Sequence, residues 1–294
     1  MAMRMLSGAL GACGGYFLGK HIVKKLDSHQ WERASHSGNP VSLTGGFTTV
    51  SALSTGLLAT LPKRTSMSAL VISSSGALAG WIDDHLEDKF PARGKGFKGH
   101  LGALKEGKVT SGLLKIGTIG AGAVFAAGIG QIKGSTCRCK PLVVTPVPKH
   151  LKKRNLLLKR LAHIGVDSLI LAGSANFLNL LDLRPGRALK FAGLCAVPAL
   201  LISDDARSTS GVILTTAIAN LPSDLAGETM LGDMGANALG GVVGTLVTSS
   251  QSMPVKLLVL GTITGLTAAS EKVSFSKVIA ENKILSVIDD LGRK

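Results

Sequence analysis

Two adjacent aspartates, Asp83 and Asp84, follow an apolar run that extends from Met67 to Ile82. Carboxylates at the boundary of a membrane helix are costly unless they face water, protein or a metal, so acids in such positions are candidates for function. Hard cations such as Mg²⁺ prefer carboxylate oxygens and often share them with a diphosphate. Taken alone, the pair is as consistent with a solvated helix end as with a metal–diphosphate site.

Two more charged residues lie near the starts of later apolar stretches. Lys115 stands one turn into such a stretch, where a cation needs a partner such as a phosphate. Asp233 lies in the sequence Gly232-Asp233-Met234-Gly235, whose glycines let a ligand approach the backbone. The alternative for Asp233 is structural, because an acid at a helix N-terminus is favourable without any ligand.

Three polar residues, Asn176, Asn179 and Asp182, recur every three positions at the end of another apolar stretch. The spacing places them along one face of a helix, where amides can recognise a nucleotide or sugar or simply bond to a neighbouring helix. Gly45 and Gly46 open an earlier stretch, and their backbone N–H groups could hold a phosphate. For the two glycines alone, a plain interhelical loop is the favoured interpretation.

The composition indicates a membrane protein. Hydrophobic residues make up 45% of the 294 residues, charged residues only 17%, and the mean hydropathy is +0.34, whereas soluble domains carry about 25% charged residues. The net charge of +15 suits cytoplasmic loops that meet anionic lipid. A single tyrosine, with no alternation of aromatic and basic residues, argues against a nucleic-acid partner.

The apolar residues fall into separated blocks, which predict an all-α, polytopic membrane protein with roughly nine transmembrane helices in one membrane-embedded domain, 1–294. The predicted helices are 5–23, 43–61, 67–82, 113–132, 161–182, 188–203, 209–222, 237–250 and 255–270. If residue 1 lies outside the cell, the segments that hold or adjoin the polar clusters are cytoplasmic: 24–46, 83–112, 183–187, 223–236 and 271–294.

The distribution of Lys and Arg supports this orientation except in one stretch, Lys133 to Arg160. The end of that stretch, from Lys149 onward, could lie on a lipid surface as a basic amphipathic helix. The sequence alone does not assign it a role.

Four motifs in this order resemble those of the polyprenyl-phosphate N-acetylhexosamine-1-phosphate transferases. This superfamily includes phospho-N-acetylmuramoyl-pentapeptide transferase and UDP-N-acetylglucosamine:undecaprenyl-phosphate transferase. Asp83-Asp84 is similar to the paired aspartates of the family, and Gly112-Leu113-Leu114-Lys115 to the segment that follows them. The other two matches are an Asn-x-x-Asn-x-x-Asp run, 176–182, and a Gly-Asp-x-Gly stretch that continues to Gly241, 232–241.

The resemblance implies a multi-pass plasma-membrane enzyme with a cytoplasmic active site. It would transfer a sugar 1-phosphate from a UDP-sugar to a polyprenyl (undecaprenyl) phosphate and release UMP. The implied cofactor is Mg²⁺, with Mn²⁺ as a substitute, and homodimerisation is left open. The implied roles are catalysis by Asp83, Asp84 and Asp182, metal binding by Asp233, and substrate binding by a further set: Lys115, Asn176, Asn179, Gly45 and Gly46.

The chain departs from the family pattern at two places. Leu183 to Arg187 replaces the usual Gly-x-Asp-Gly-Leu, and no histidine follows His163, although the last cytoplasmic loop of the family carries a His-rich motif. Two alternatives therefore stay open: a non-catalytic relative that binds nucleotide-sugar or lipid carrier, and a small-solute transporter. Transporters often contain internal repeats, and none is visible here.

Overall fold

The computed structural model describes residues 2–26, 28–34, 38, 40–86, 110–131, 149–249 and 252–293. Within these ranges the protein is helical apart from a short antiparallel hairpin, β1 (Glu32–Ala34) with β2 (Pro40–Ser42). The helices are α1 (Ala2–Val23), α2 (Thr44–Leu58), α3 (Arg64–Leu86), α4 (Ser111–Gln131), α5 (Lys149–Leu181), α6 (Arg187–Ala199), α7 (Asp204–Leu225), α8 (Gly232–Thr248), α9 (Met253–Ser270), α10 (Phe275–Glu281) and α11 (Lys283–Asp290).

The prediction of an all-α fold is confirmed, and α1 to α9 lie where the nine apolar blocks were predicted. Two boundaries differ in ways that matter. Helix α3 continues to Leu86, so Asp83 and Asp84 lie in its last turns and not in the loop that follows. Helix α5 begins at Lys149 and not near residue 161, because its basic first third contains good helix formers and neither glycine nor proline.

Four helices of the described residues are long and apolar enough to cross a membrane: Arg64–Leu86, Ser111–Gln131, Leu156–Leu181 and Met253–Ser270. They identify a membrane protein. The predicted count of nine spans is not confirmed, because α2 has 15 residues and α6 has 13, fewer than the ~17 residues that a span normally needs.

Helix α8 lies at the centre and is buried on all sides from Gly235 to Leu246. It packs against α2, α3, α5, α6 and α7. A helix that is apolar all round is typical of such a central position, and glycines let its neighbours come close. A Cβ added at Gly244, for example, would lie 3.1 Å from the Ser174 side chain of α5.

Helices α3 and α8 approach most closely at Gly76 and Gly80. A Cβ at Gly76 would lie 2.9 Å from the backbone of Asn237, and a Cβ at Gly80 would overlap the backbone of Asp233 and Met234. The two glycines are four residues apart, the spacing that brings small residues to one helix face. They bring the end of α3 that carries Asp83 and Asp84 against the first turn of α8.

We expect Gly80→Ala to lower the free energy of unfolding by about 1–3 kcal/mol, the usual cost of overpacking a well-packed core. The added methyl must push the backbone of α8 away from α3. Gly117→Ala is the matched control, because no described atom lies within 4 Å of a Cβ at that position, and its effect should stay within about 0.5 kcal/mol. Denaturant or thermal unfolding in detergent measures both. Equal effects would contradict the close α3–α8 contact.

Helix α9 is attached through a buried ion pair. Its Lys256 ammonium lies 2.7 Å from an Asp167 carboxylate oxygen of α5, and both side chains are almost completely buried. The Gln131 amide of α4 donates to the other Asp167 oxygen over 3.0 Å, and Lys256 also donates to the Thr248 carbonyl. The network therefore connects three of the four candidate spans.

The C-terminal helices α10 and α11 dock on the start of α6. The Arg187 guanidinium makes two hydrogen bonds to the Asp289 carboxylate, of 2.7 and 2.8 Å, and Arg293 adds a third of 3.0 Å. Lys190 donates to the carbonyl of Asp289 over 2.7 Å. Neither these two helices nor the β1–β2 hairpin were predicted from the sequence.

The attachment of α11 should depend on pH. Burial alone would raise the pKa of Asp289, but hydrogen bonds from Arg187 and Arg293 outweigh it and lower that pKa from 3.8 to about 2. Because an unfolded Asp has a pKa of about 3.9, the ionised carboxylate stabilises the docked helix above about pH 4. That stabilisation is lost as the pH falls from about 4 toward 2.

We expect a nitroxide at position 280, in an Ala280→Cys protein, to become mobile over this pH range. Asp289→Asn should make the label mobile already at neutral pH, because the amide replaces the charged partner of Arg187. Asp290→Asn is the control, since Asp290 is exposed and bonds to Arg293 and Ser286 but not to Arg187. An immobile label in Asp289→Asn at neutral pH would disprove the role of the ion pair.

Candidate active site

Lys115 lies between two aspartates at one end of the helix bundle. Its ammonium forms an ion pair with Asp233 of α8 and lies 3.4 Å from a carboxylate oxygen of Asp83 on α3. The Asp83 carboxylate also lies next to the Asp233 carboxylate and the Ser111 hydroxyl. A lysine that enters an apolar helix is thus neutralised by two acids. The structure brings together three residues that the sequence singled out separately.

Asp84 contacts the N-terminus of α8. Its two carboxylate oxygens accept hydrogen bonds from the backbone N–H groups of Asp233 and Met234, over 3.2 and 2.9 Å. These N–H groups lie in the first turn of α8 and have no partner within the helix, so the Asp84 side chain of α3 caps α8. Its negative charge also interacts favourably with the dipole of α8. Its own carbonyl accepts a hydrogen bond from the Arg33 guanidinium. The two adjacent aspartates therefore have different surroundings.

Asp182 is buried at the end of α5 and faces the same centre. Its carboxylate lies near the Gly232 backbone N–H, and the carboxylates of Asp224, Asp233 and Asp84 lie close enough to repel its charge. Its second oxygen has no hydrogen-bond partner among the described residues. A buried carboxylate with an unpaired oxygen and like charges nearby is unfavourable unless a cation or donor compensates.

Arg187 does not neutralise Asp182, although it lies only five residues after it in the sequence. The Arg187 side chain bonds to Asp289, 102 positions along the chain. The turn between Asp182 and Arg187 instead bonds through the Gly186 backbone N–H to the Asp224 carboxylate. Asp224 was missed from the sequence. An acid two residues after Pro222, in the last turn of a helix where it opposes the helix dipole, is a signal that could have identified it.

Asn176 and Asn179 lie on α5, two and one turns before Asp182, and both are half-buried. Among the described residues neither side chain makes a hydrogen bond, and the Asn179 carbonyl accepts from the Asp182 N–H over 3.2 Å. The interhelical hydrogen bonds that the sequence left open are therefore not formed within the described part of the chain. The amides stay available beside the acids.

Gly45 and Gly46 pack against the segment that leads into α8. Added Cβ atoms would come within 2.5 Å of the Met230 carbonyl at Gly45 and would overlap the Leu231 carbonyl at Gly46. The Gly46 N–H already donates to the Leu43 carbonyl over 3.0 Å. The two glycines thus have a packing role beside the site, and their predicted phosphate contact stays a prediction.

The hairpin that precedes α2 joins the site through its backbone. The Ser42 N–H donates to the Glu228 carbonyl over 3.2 Å, and the Met230 N–H donates to the Ser42 carbonyl over 2.9 Å. Trp31, just before the hairpin, packs edge-on against His85 of α3 with ring centroids 4.6 Å apart. These contacts, missed from the sequence, hold the loop before α8 in place.

The donor set suits a hard divalent cation. Asp83 and Asp233 present neighbouring carboxylates, Asp182 has an unpaired oxygen, and oxygen ligands of this kind are those that Mg²⁺ prefers, with water and substrate phosphate completing its shell. Lys115 already places one positive charge between two of these acids. Within the described ranges, however, no three His, Cys, Asp or Glu side chains form a ready-made metal cluster.

The sequence of this chain matches no protein-family model and no curated protein. The resemblance to the polyprenyl-phosphate transferases therefore depends on the order of the motifs.

Proposed function

We propose that this protein transfers a sugar 1-phosphate from a UDP-sugar, of the UDP-N-acetylhexosamine class, to a polyprenyl phosphate and releases UMP. The observation that carries the proposal is the convergence of Asp83, Asp84, Asp182, Asp233 and Lys115 at one end of α3, α4, α5 and α8. Four carboxylates at this end of the bundle, two of them paired with Lys115, suit a diphosphate and a divalent cation.

In this proposal an oxygen of the polyprenyl phosphate attacks the β-phosphate of the UDP-sugar, and UMP leaves. Asp233 and Asp83 would hold Mg²⁺, which supplies neutralisation of the diphosphate as negative charge moves onto the leaving UMP. Lys115 would exchange part of its contact with the acids for a phosphate oxygen. Asp84 would hold the first turn of α8 in place, and Asn176 and Asn179 would face the nucleotide.

An apolar groove supports a lipid substrate. It has a volume of about 550 Å³ and lies between α5, α6, α8 and α9, with Phe177, Leu178, Phe191 and Val243 among its lining residues. Helices α5 and α8 both line the groove and end or begin at the acids. A polyprenyl chain is the kind of molecule that such a lining would accept.

We further propose that the chain crosses the membrane nine times and that the site lies on the cytoplasmic side, as the sequence predicts. Cysteines at the exposed positions Glu32, Glu228 and Lys283 should then be labelled by a membrane-impermeant reagent only after the cytoplasmic side is opened. A cysteine at Ser252 should react from the opposite side. Labelling of Glu32, Glu228 and Lys283 from different sides would refute this topology.

The direct test is UMP release by the purified protein with Mg²⁺, polyprenyl phosphate and a panel of UDP-sugars. Release that needs all three components supports the proposal, and no release with any donor would overturn it. Thermal stabilisation by a UDP-sugar without turnover would instead select the non-catalytic relative, which the missing His-rich motif favours.

A further inference from the structure

Helix α11 exposes an apolar stripe. The side chains of four residues are largely accessible: Ile284 (72%), Val287 (69%), Ile288 (53%) and Leu291 (68%). Their i, i+3, i+4, i+7 spacing places them on one helix face. The other face carries Asp289, which is buried against α6. Because the polar face is already bound to the protein, the apolar face points away from it.

The position of α11 relative to the candidate spans suggests what covers this stripe. The span Leu156–Leu181 ends 6 residues before Arg187, the partner of Asp289, and the span Met253–Ser270 ends 13 residues before Lys283, the first residue of α11. Lys190, one turn into α6, donates to the carbonyls of Ile288 and Asp289 over 3.1 and 2.7 Å. Helix α11 thus lies beside the first turn of α6, a few residues after the span Leu156–Leu181 ends.

The surrounding side chains fit the boundary between acyl chains and headgroups. Lys272, Lys277 and Lys283 are exposed around α10 and α11, and long cationic side chains extend toward headgroups while their stems stay apolar. Leu183, in the turn after α5, is 53% exposed and adds to the apolar surface on this side. A short helix with one apolar and one polar face is typical of a segment that lies in the plane of a membrane surface.

We propose that α11 is an interfacial helix whose apolar stripe inserts into the bilayer at the end of the bundle that carries the acids. Its polar face is held by Arg187, which begins α6 and lies five residues after Asp182. Insertion would therefore fix the turn that connects the end of α5 to α6. The proposal concerns a contact with lipid and does not depend on the transferase activity.

The test uses the full-length protein with its native cysteines replaced, reconstituted in lipid nanodiscs. A nitroxide is placed in turn at each position from 283 to 291, and its accessibility to oxygen, which enters the bilayer, is compared with that to a water-soluble nickel complex. We expect the ratio to be severalfold higher at 284, 287, 288 and 291 than at 286 and 290.

A second measurement guards against labels that perturb the helix. Tryptophan in a Val287→Trp protein that also carries Trp31→Phe and Trp81→Phe should be quenched by lipids brominated on their acyl chains. Tryptophan at Ser286, on the other face, should not be. Preferential access of the nickel complex would mean that the stripe faces water. Low access of both reagents would mean that protein covers the stripe. Either result would overturn the proposal.

Discussion

Asp233→Asn is expected to reduce UMP release by about 10³-fold or more while the protein still folds and inserts. The substitution removes the carboxylate that pairs with Lys115 and that is proposed to bind the metal. Stabilisation of transition-state charge by a metal is worth several kcal/mol, and each 1.36 kcal/mol corresponds to about tenfold in rate. The fold should survive, because Asp84 bonds to the backbone of Asp233 and Met234, and asparagine keeps both N–H groups.

Asp204→Asn is the matched control for this experiment. Asp204 also lies in the first turn of a helix, α7, but it is exposed and its side chain bonds to Arg207. Its replacement removes one negative charge in the same local setting without touching the site. Activity of the Asp233→Asn protein above about a tenth of the parent would be incompatible with a metal-ligand role, because loss of a metal ligand should raise the activation free energy by several kcal/mol.

Asp83→Ala and Asp84→Ala are each expected to lower catalysis by about 10²-fold or more, but for different reasons. Asp83→Ala removes the contacts of this carboxylate with Lys115 and Asp233, so the substitution should lower turnover and leave stability nearly unchanged. Asp84→Ala removes two hydrogen bonds from the start of α8, so the substitution should also lower the free energy of unfolding by about 0.5–2 kcal/mol, as loss of a helix cap does.

The double variant should be far from additive, because both residues act on Asp233: Asp83 shares Lys115 with it, and Asp84 holds its backbone. Turnover and unfolding are measured on both single variants and on the double variant. Asp205→Ala, at an acid that pairs with Lys63 and whose side chain is half-exposed, supplies the control. Activity within a few-fold of the parent in both single variants would mean that this end of α3 is a structural helix terminus and no more.

The location of the site could be predicted because its elements are encoded locally. Each acid or lysine stands at the end of an apolar block, and the alternation of blocks places the ends of α3 and α5 and the starts of α4 and α8 on one side. The contacts themselves were not predictable. Nothing near Asp84 in the sequence shows that it caps a helix 149 positions later, or that Arg187 binds Asp289.

The C-terminal helices show a different limitation. The apolar spacing from Ile284 to Leu291 is visible in the sequence, but it covers only two turns, which is too short for a confident assignment by periodicity. The role of Gly45 and Gly46 depends likewise on a distant partner, since only the folded chain places the Met230 and Leu231 carbonyls against them. Local sequence patterns predicted the helices. Contacts between segments that are distant in the sequence determined the role of the glycines, and these could not be predicted.

The central position of α8 has a consequence for how the sequence can change. Because this helix is buried from Gly235 to Leu246 and its Gly235 and Gly240 sit against neighbouring backbones, enlargement at these two glycines should be eliminated by selection. The outer faces of α4 and α9, such as Phe125 and Leu258, are exposed and can exchange freely among apolar residues. Divergence in this protein should therefore accumulate from the periphery inward, with α8 the last helix to drift.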